Sequence, residues 1–451
     1  MRTSLTAARS RRVTRPLAAV CAVAAAAGVL SACGTPGAST PAAPADGGAV
    51  STAFPTEKVT LSILTSDDSP TTKALTAAFT KLHPNVTIDY RYTPYDNYDT
   101  NLGLALGSED APDLALLNLL GNTAKSGLLR DLDPYVAAYG WDKKVSASQL
   151  DQWRSPGKGN QLGTGKLWAA PAGFSLVGVY YNKAVAAKLG ITAPPQTLAE
   201  FEEQLAKAKA AGELPIQVSN LDGHASFIFQ ALADRYQDLA SSSKWAFNTP
   251  GSTIVNEAGT KAAQKLADWA KAGYLPEGAN GTDNAGSITS YAKGQGLFLF
   301  NGSWAASAVE KALPGGSGFF TLPGEKADDG ATGVGTSLAY AISAKAKHPD
   351  AAGAFLDFLN TAEAADIQLA NGFMPVAHAD SVKPAPNTVM VDYVTAWGKV
   401  SKDNGLVPFF NNASSTMNTT LTSQSQQLIA GKTSAADFLK ALQADWQKGQ
   451  Q

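Results

Sequence analysis

The side chains best suited to catalysis do not fall into the patterns that catalysis requires. The chain contains four histidines, which are His83, His224, His348 and His378. They are too scattered to form an H-E-x-x-H pair or another local zinc spacing. Gly431-Lys432-Thr433 matches the end of a phosphate-binding loop, but Gln426 stands where that loop requires its upstream glycine. The sequence therefore indicates neither a local zinc motif nor a phosphate-binding loop.

Two serine motifs are also incomplete. Ser241-x-x-Lys244 fits the first motif of penicillin-binding enzymes, but its Ser-Asp-Asn and Lys-Thr-Gly partners are absent. The segment from Gly173 to Gly178 has one residue too many for a nucleophile elbow. A glycosidase needs only two carboxylates, which the 38 acidic residues do not exclude. We predict a protein that is not an enzyme, with no catalytic residue, no cofactor and no metal.

Composition limits the partners and suggests the number of lobes. The 451 residues carry a net charge of -2, and residues 1–32 hold five arginines and no acid, so the remaining 419 carry -7. Such a surface is a poor partner for nucleic acid. Apolar residues make up 44% of the chain, enough for burial, and the length exceeds what one hydrophobic core usually supports. We therefore expect two lobes.

The N-terminus has the parts of a secretory signal. Five arginines precede the apolar stretch from Leu17 to Leu30, which is too short to span a membrane. Leu30-Ser31-Ala32-Cys33 resembles the bacterial lipobox, whose cysteine is acylated after cleavage. We predict a signal peptide over residues 1–32, a lipid anchor at Cys33 and a flexible tether to residue 57, rich in Ala, Pro, Gly, Ser and Thr. An ordinary signal cut after Ala32 is the alternative, and the export route stays open.

The remaining elements must position any binding site, and they alternate between strand and helix. Val59 to Ile63, Val86 to Tyr92 and Asp113 to Asn118 have strand patterns, and Leu75 to Leu82 carries a helical apolar face. This β-α-β-α-β start predicts an open, largely parallel sheet that binds ligands at the carboxyl ends of its strands. A second alternating unit begins near Val177.

Several segments then occur in an order typical of one family. They are Gly165 to Pro171, Val179 to Lys183, Ala193 to Thr197, Lys293 to Trp304, Tyr340 to Ser343 with His348 to Ala352, and Gly372 to Val376. Together they resemble bacterial extracellular solute-binding proteins of the maltose-binding-protein type, which capture solutes for ABC importers. Gln295 to Leu297 depart from the Ala-Ala-Met that is usual in that family.

The resemblance implies an α/β fold of two lobes, each a largely parallel sheet flanked by helices, with a ligand cleft between them that closes by hinge motion. It places lobe 1 at residues 58–172 plus 318–360, and lobe 2 at residues 173–317 plus 361–451. It also implies a monomer that hands a sugar or oligosaccharide to ABC permease subunits. With the anchor, the expected location is the extracellular face of the cell membrane.

Sugar chemistry then suggests which residues line the cleft. A pyranose has an apolar face that packs on an aromatic ring, and a rim of hydroxyls that needs donors and acceptors. Trp304, just after a strand and a Gly-Ser turn, is the best candidate for the ring. Asp67 and Asp68 follow the first strand and offer carboxylates, and Asn118 both donates and accepts. Each has a structural alternative. Trp304 could pack in the core, the two aspartates could cap a helix, and Asn118 could satisfy hydrogen bonds within its own loop.

Six further residues are candidate contacts: one at the first crossing between lobes, three in loops that reach the cleft in the resembling family, and two beside a late strand and a proline turn. They are Phe174, His224, Thr336, Phe373, Phe410 and Asn411. The structural alternatives for these residues are packing between the lobes, an exposed position without a role, or loop geometry.

Two other functions remain open on the sequence. A binding protein for a polyamine, an amino-acid derivative or a metal chelate would favour paired acids over an aromatic ring. A secreted glycan hydrolase would need only its pair of carboxylates.

Overall fold

A computed structural model describes residues 50–67, 70–120, 123–157 and 161–450. The predicted signal peptide, the lipidation site Cys33, the tether up to residue 49 and Asp68 lie outside the described residues. Within the described ranges, no helix combines the length and the apolar character that a bilayer crossing needs.

Short strands and longer helices alternate along the described chain. The strands are β1 Val59–Thr65, β2 Val86–Tyr92, β3 Leu114–Leu117, β4 Arg154–Ser155, β5 Lys166–Leu167, β6 Ala170–Phe174, β7 Val177–Asn182, β8 Ile216–Gln217, β9 Phe298–Gly302, β10 Ser317–Phe320, β11 Gly333–Val334, β12 Ser337–Ile342 and β13 Leu406–Val407. The helices are α1 Thr71–Leu82, α2 Tyr95–Gly107, α3 Asp133–Tyr139, α4 Ala147–Asp151, α5 Lys183–Lys188, α6 Leu198–Ala210, α7 Ala225–Tyr236, α8 Leu239–Ala246, α9 Glu257–Lys271, α10 Asn284–Ala292, α11 Ala306–Ala312, α12 Pro349–Phe358, α13 Ala362–Ala370, α14 Val389–Lys402, α15 Met417–Ile429 and α16 Ala435–Lys448.

The first sheet has the order β2-β1-β3-β12-β6. Its β1 pairs in parallel with β2 and β3, with Ile63 opposite Tyr90 and Leu114. Leu61 and Ile63 of β1 are fully buried. Helices α1 and α12 cover this core, where Phe79 meets the ring of Phe355 at 5.3 Å and 90°.

The second sheet has the order β13-β11-β7-β9-β8, and β10 also pairs with β7. Its central strand β7 is antiparallel to β9, β10 and β11. Val177 and Val179 on one face of β7 belong to the second hydrophobic core. Tyr180 on the other face belongs to the first core, which is that of the first sheet. This division follows from the two-residue period of a strand.

Both sheets are mixed, which corrects the expectation of largely parallel sheets. In the first sheet, β12 is antiparallel to β3 and β6. These strands lie next to crossings between the two sheets, because the chain runs from β6 into β7 and from β11 into β12. A strand that enters from the other sheet need not follow the crossover connection that keeps neighbouring strands parallel.

The strand pairing corrects two of the predicted crossing points. We placed residues 318–360 in lobe 1, but β10 and β11 pair with β7 of the second sheet, so the chain leaves that sheet only after Val334. We also placed the last crossing at Asn360, but α13 packs on α1 and β6. Met374 then exchanges backbone hydrogen bonds with Phe174 of β6. These pairings are non-local, so sequence periodicity does not reveal them.

Residues 50–57 are packed against the first core, which shortens the predicted tether. The ring of Phe54 stacks on His83 with 3.8 Å between centroids. Asn85 Nδ2 donates to the carbonyl oxygens of Pro55 and Glu57, each at 2.8 Å. An apolar ring and two satisfied carbonyls thus attach a segment whose composition predicts a tether, and Val50 packs on the same core.

Candidate ligand-binding site

Strand ends from both sheets meet around a cavity of about 290 Å³. On the first sheet it is lined by residues at the carboxyl ends of β1 and β3, including Asp67 and Asn118. On the second sheet it is lined by Trp304, just beyond β9, and by the loops that precede α7 and α10. The cavity therefore lies at the edge where parallel strands of an α/β sheet present ligand-binding loops.

Most of the predicted contact residues are brought together at this cavity. Those that line it are Asp67, Asn118, His224, Trp304, Thr336, Phe373 and Asn411. They come from seven separate stretches of chain, so only the fold unites them.

Two predicted contacts, Phe174 and Phe410, have structural roles instead. The fully buried ring of Phe174 packs against Trp397 at 5.7 Å, and its carbonyl accepts a hydrogen bond from Tyr393. Phe410 lies in the second core with its ring 4.8 Å from Trp245. Neither side chain lines the cavity, and the neighbouring Phe409 does so instead.

Trp304 and three rings that contact it form an aromatic wall. Its indole contacts His224, Phe227 and Phe409 in edge-to-face arrangements, with centroids between 5.9 and 6.2 Å apart. Gly302 makes the position of Trp304 possible, since a Cβ at residue 302 would lie 2.1 Å from the indole. The wall is half-buried at Trp304 and offers an apolar surface on which a flat ligand face can pack.

Two buried acceptors stand beside this wall without partners. Asp222 Oδ1 and Asn411 Oδ1 are inaccessible to solvent and accept no hydrogen bond from the described residues. The other carboxylate oxygen of Asp222 lies 3.7 Å from His224 Nε2, and His224 Nδ1 shares a 2.8 Å hydrogen bond with Ser219 Oγ. A buried acceptor with no donor is costly, so both positions favour a ligand that supplies O–H or N–H groups.

Asp67 is held in place by the first turn of α1. Its Oδ2 accepts from the backbone nitrogen of Thr72 at 3.1 Å and from Thr72 Oγ1 at 2.9 Å. Because that hydroxyl proton is used, Tyr340 donates to Thr72 Oγ1, 2.6 Å away. Burial, and next the charge of Asp67, raise the pKa of Tyr340 above its usual range. The helix-capping role and the cavity-lining position that we weighed for Asp67 therefore occur together.

Asn118 is oriented from both sides. Its Nδ2 donates to Ser66 Oγ at 3.0 Å and to Asp99 Oδ1 at 3.1 Å. Burial raises the pKa of Asp99 to about 6, although the hydrogen bond from Asn118 lowers it. The amide of Asn118 is therefore fixed before any ligand arrives.

The charges around the cavity have one sign. Three aspartates line it, Asp67, Asp222 and Asp283, whereas no lysine or arginine is among the described residues that do. Asp67 binds the first turn of α1, and Asp283 Oδ1 accepts from the backbone nitrogen of Gly286 in α10. The described part of the chain contains no cluster of three or more acids, histidines or cysteines suited to a metal ion.

Sequence reasoning missed Tyr92, Tyr95, Phe227 and Asn284, which also line the cavity. Tyr92 and Tyr95 are unusually exposed for large aromatic side chains, at 47% and 36%. A tyrosine at the carboxyl end of the predicted strand β2 was the available signal for Tyr92. Phe227 and Asn284 are the third and first residues of helices, and their sequence carries no comparable signal.

The fold agrees with the comparison to known families. Residues 63–366 match the family model of bacterial extracellular solute-binding proteins. The chain belongs to this family, which is a family of extracytoplasmic binding proteins.

Individual relatives have low sequence identity to this chain. Over 204 residues the chain is 28% identical to a multiple sugar-binding protein of Streptococcus mutans, a match that covers 44% of this chain and 48% of that protein. A chitin oligosaccharide binding protein has a similar structure, with a TM-score of 0.73, 21% identity, and coverage of 87% of this chain and 99% of that one. The GacH receptor of Streptomyces glaucescens, solved unliganded and with acarbose, is also similar in structure. Its TM-score is 0.68 and its sequence identity 18%, with coverage of 86% of this chain and 98% of that one.

These matches confirm the two-lobed α/β fold. The curated match spans about half the length of the Streptococcus mutans protein.

Proposed function

We propose that the protein captures a sugar or oligosaccharide in the cavity beside Trp304 and delivers it to the membrane subunits of an ABC importer. One observation carries the proposal: an aromatic wall stands beside the unpartnered acceptors of Asp222 and Asn411. The indole matches the apolar face of a pyranose, and its hydroxyls donate to the two acceptors. The proteins named above that bind sugars support the same ligand class.

A cationic solute is the second candidate, because three aspartates line the cavity without a facing lysine or arginine among the described residues. Asp67 and Asp283 are already bound at helix N-termini, and of the three only Asp222 has a buried oxygen that accepts no hydrogen bond from the described residues. An amine site needs several free carboxylates around one charge, so this arrangement suits a neutral, hydroxylated ligand better.

The mechanism that we propose is selective stabilisation of a closed state. A ligand that contacts Asp67 from the first sheet and Trp304 from the second binds best when both walls approach it. Binding then shifts the population towards closure, which an importer can distinguish from the empty form. The chain would act as a monomer without catalysis, cofactor or nucleic acid.

Cys33 would carry the lipid that keeps the protein at the outer face of the membrane. We expect the N-terminal peptide of the purified native protein to show the mass of an acylated cysteine, and Cys33→Ser to release the protein into the medium. An unmodified cysteine at a mature N-terminus would refute the anchor while leaving the binding function intact.

The ligand class is tested with the chain purified without residues 1–33. After unfolding and refolding to remove any bound ligand, the melting temperature is compared across sugars, amino acids, polyamines and metal chelates. A ligand that binds only the native state raises its stability. An increase with sugars supports the proposal, whereas an increase with polyamines alone replaces it by the second candidate. Release of products from oligosaccharides would show an enzyme instead.

A further inference from the structure

One buried glutamine bonds to the backbone on both sides of Phe409. Gln230, on α7, is only 2% exposed. Its Nε2 donates to the carbonyl oxygen of Pro408 at 2.8 Å, and its Oε1 accepts from the backbone nitrogen of Phe410 at 2.9 Å. Because the carbonyl needs a donor and the nitrogen needs an acceptor, only one orientation of the amide satisfies both. The side chain therefore fixes the backbone before and after Phe409.

The residues held in this way belong to the candidate site. Phe409 lines the cavity, with its ring 6.2 Å from that of Trp304 and 5.2 Å from that of Phe227. Asn411 also lines the cavity, and its buried Oδ1 has no partner among the described residues. Gln230 is not among the described residues that line the cavity. It can therefore affect a ligand only through the residues that it holds.

Helix α7 brings the glutamine and the aromatic wall together. Phe227 and Gln230 are three positions apart, so they are neighbours on the surface of the helix. The other end of the loop is held as well, because Asn248 Nδ2 donates to the carbonyl oxygen of Ala413 at 2.7 Å. Residues 408–413 are thus bound to the second lobe at both ends, and both cavity-lining residues lie between the two attachments.

We propose that Gln230 is a positioning residue of the ligand site, which holds Phe409 and Asn411 in their binding positions before a ligand arrives. The inference rests on the proposed binding function, whichever sugar is bound. A loop that is already ordered loses little conformational entropy on binding, so the affinity is higher. Without the amide, the backbone groups of Pro408 and Phe410 would be buried without partners, and the loop would shift towards water to hydrate them.

Titration calorimetry compares the wild-type chain with Gln230→Met, which keeps the length of the side chain and removes both hydrogen bonds. The probe is whichever of maltotriose, raffinose, xylotriose and chitotriose raises the melting temperature most. Circular dichroism checks that each variant is folded at the temperature used. We expect Gln230→Met to weaken binding at least about 10-fold, about 1.4 kcal/mol. In a Phe409→Ala background the same change should cost about 3-fold or less, because residues that act through one contact are not additive.

Gln443→Met is the matched control, because Gln443 holds another loop in the same way. Its Nε2 donates to the carbonyl oxygen of Ser252 at 3.3 Å, and its Oε1 accepts from the backbone nitrogen of Ile254 at 3.0 Å and from Trp245 Nε1 at 3.1 Å. None of these residues is among those described as lining the cavity. The control should lower the melting temperature and leave the affinity near normal.

Three calorimetric results would overturn the positioning role. They are an unchanged affinity in Gln230→Met, an equal loss of affinity in Gln443→Met, and an undiminished effect of Gln230→Met in the Phe409→Ala background. The first would show that Gln230 serves stability alone, the second would assign the loss to folding, and the third would show that Gln230 does not act through Phe409.

Amide hydrogen exchange at Phe410 gives a second measurement, which does not need Gln230→Met to fold. In the ligand-free wild-type chain this amide should exchange slowly, and added ligand should change its rate little. In Gln230→Asn, whose side chain is too short to reach both backbone groups, the exchange should be at least about 10-fold faster. Fast exchange in the wild type that slows only with ligand would overturn the inference. If none of the four sugars binds, the proposed function fails for them, and slow exchange at Phe410 still supports a loop ordered in advance.

Discussion

Ser175 donates two hydrogen bonds to a single atom, the carbonyl oxygen of Thr336, from its backbone nitrogen at 2.9 Å and from its hydroxyl at 2.8 Å. Ser175 lies between β6 and β7, and Thr336 lies between β11 and β12. Two of the passages between the sheets are thus bound to each other where they cross. The pair also lines the cavity, so the passage and the ligand site share atoms.

The close approach of these passages depends on Gly335. A Cβ at this position would lie 2.2 Å from the Ser175 carbonyl oxygen and 3.0 Å from Leu406 Cδ1. We expect Gly335→Ala to lower the free energy of unfolding by about 1–3 kcal/mol because the backbone contact must open. Gly398→Ala is the control, since a Cβ at this helical position meets no atom within 4 Å. This substitution should raise the free energy of unfolding by up to about 1 kcal/mol. Urea unfolding measures both, and equal midpoints would contradict the explanation.

Trp304 should be required for affinity more than for folding. We expect Trp304→Ala to weaken sugar binding by about 30-fold or more, about 2 kcal/mol, since a central aromatic contact is lost. Trp397→Ala removes another half-buried tryptophan, which packs on Phe174 outside the cavity. Calorimetry should show near-normal affinity for that control, with a lower melting temperature. Similar affinity losses in both variants would indicate a general effect on folding.

Asp222 should oppose stability and favour binding. Its buried Oδ1 has no partner among the described residues, and asparagine removes the negative charge from this position, so Asp222→Asn should raise the free energy of unfolding of the ligand-free protein by about 1 kcal/mol. The same change should weaken sugar binding by about 10-fold, because a charged acceptor makes the stronger hydrogen bond. Asp366→Asn, on an exposed position of α13, should change neither. Stability and affinity that fall together in Asp222→Asn would refute this account.

Asp99 should make stability depend on pH. Its folded pKa of about 6 exceeds the value of about 3.9 expected for an unfolded aspartate. Between these values the native state binds more protons, so its stability falls as pH rises and stays lower above pH 6. Asp99→Asn should remove the part of this fall that Asp99 causes. Denaturant unfolding at several values from about pH 4 to pH 7 tests this. Asp366→Asn should keep the wild-type slope, and an unchanged slope in Asp99→Asn would assign the titration to another group.

The sequence predicted the elements whose apolar pattern is local. Residues of β1, β2 and β3 alternate or run apolar, and the structure forms strands at these segments. The position of Trp304 was also accessible, because a strand followed by Gly302-Ser303 places the next side chain at a strand end.

The features that the sequence did not reveal depend on contacts between residues that are far apart in the chain. Phe409 and Phe410 are adjacent in a loop without periodicity, and only packing against Phe227 or Trp245 determines which ring faces the cavity. The pairing of β10 with β7 joins residues far apart in sequence, so the second crossing point could not be read from local pattern.

The docking of Phe54 on His83 fixes where the N-terminal segment meets the first sheet. Residues 54–57 lie at the amino end of β1, and the cavity lies beyond its carboxyl end, a distance of roughly 20 Å along seven extended residues. Residues 50–57 thus join the first sheet at the edge remote from the cavity mouth. This segment therefore leaves the cavity mouth open to solute from the surrounding medium.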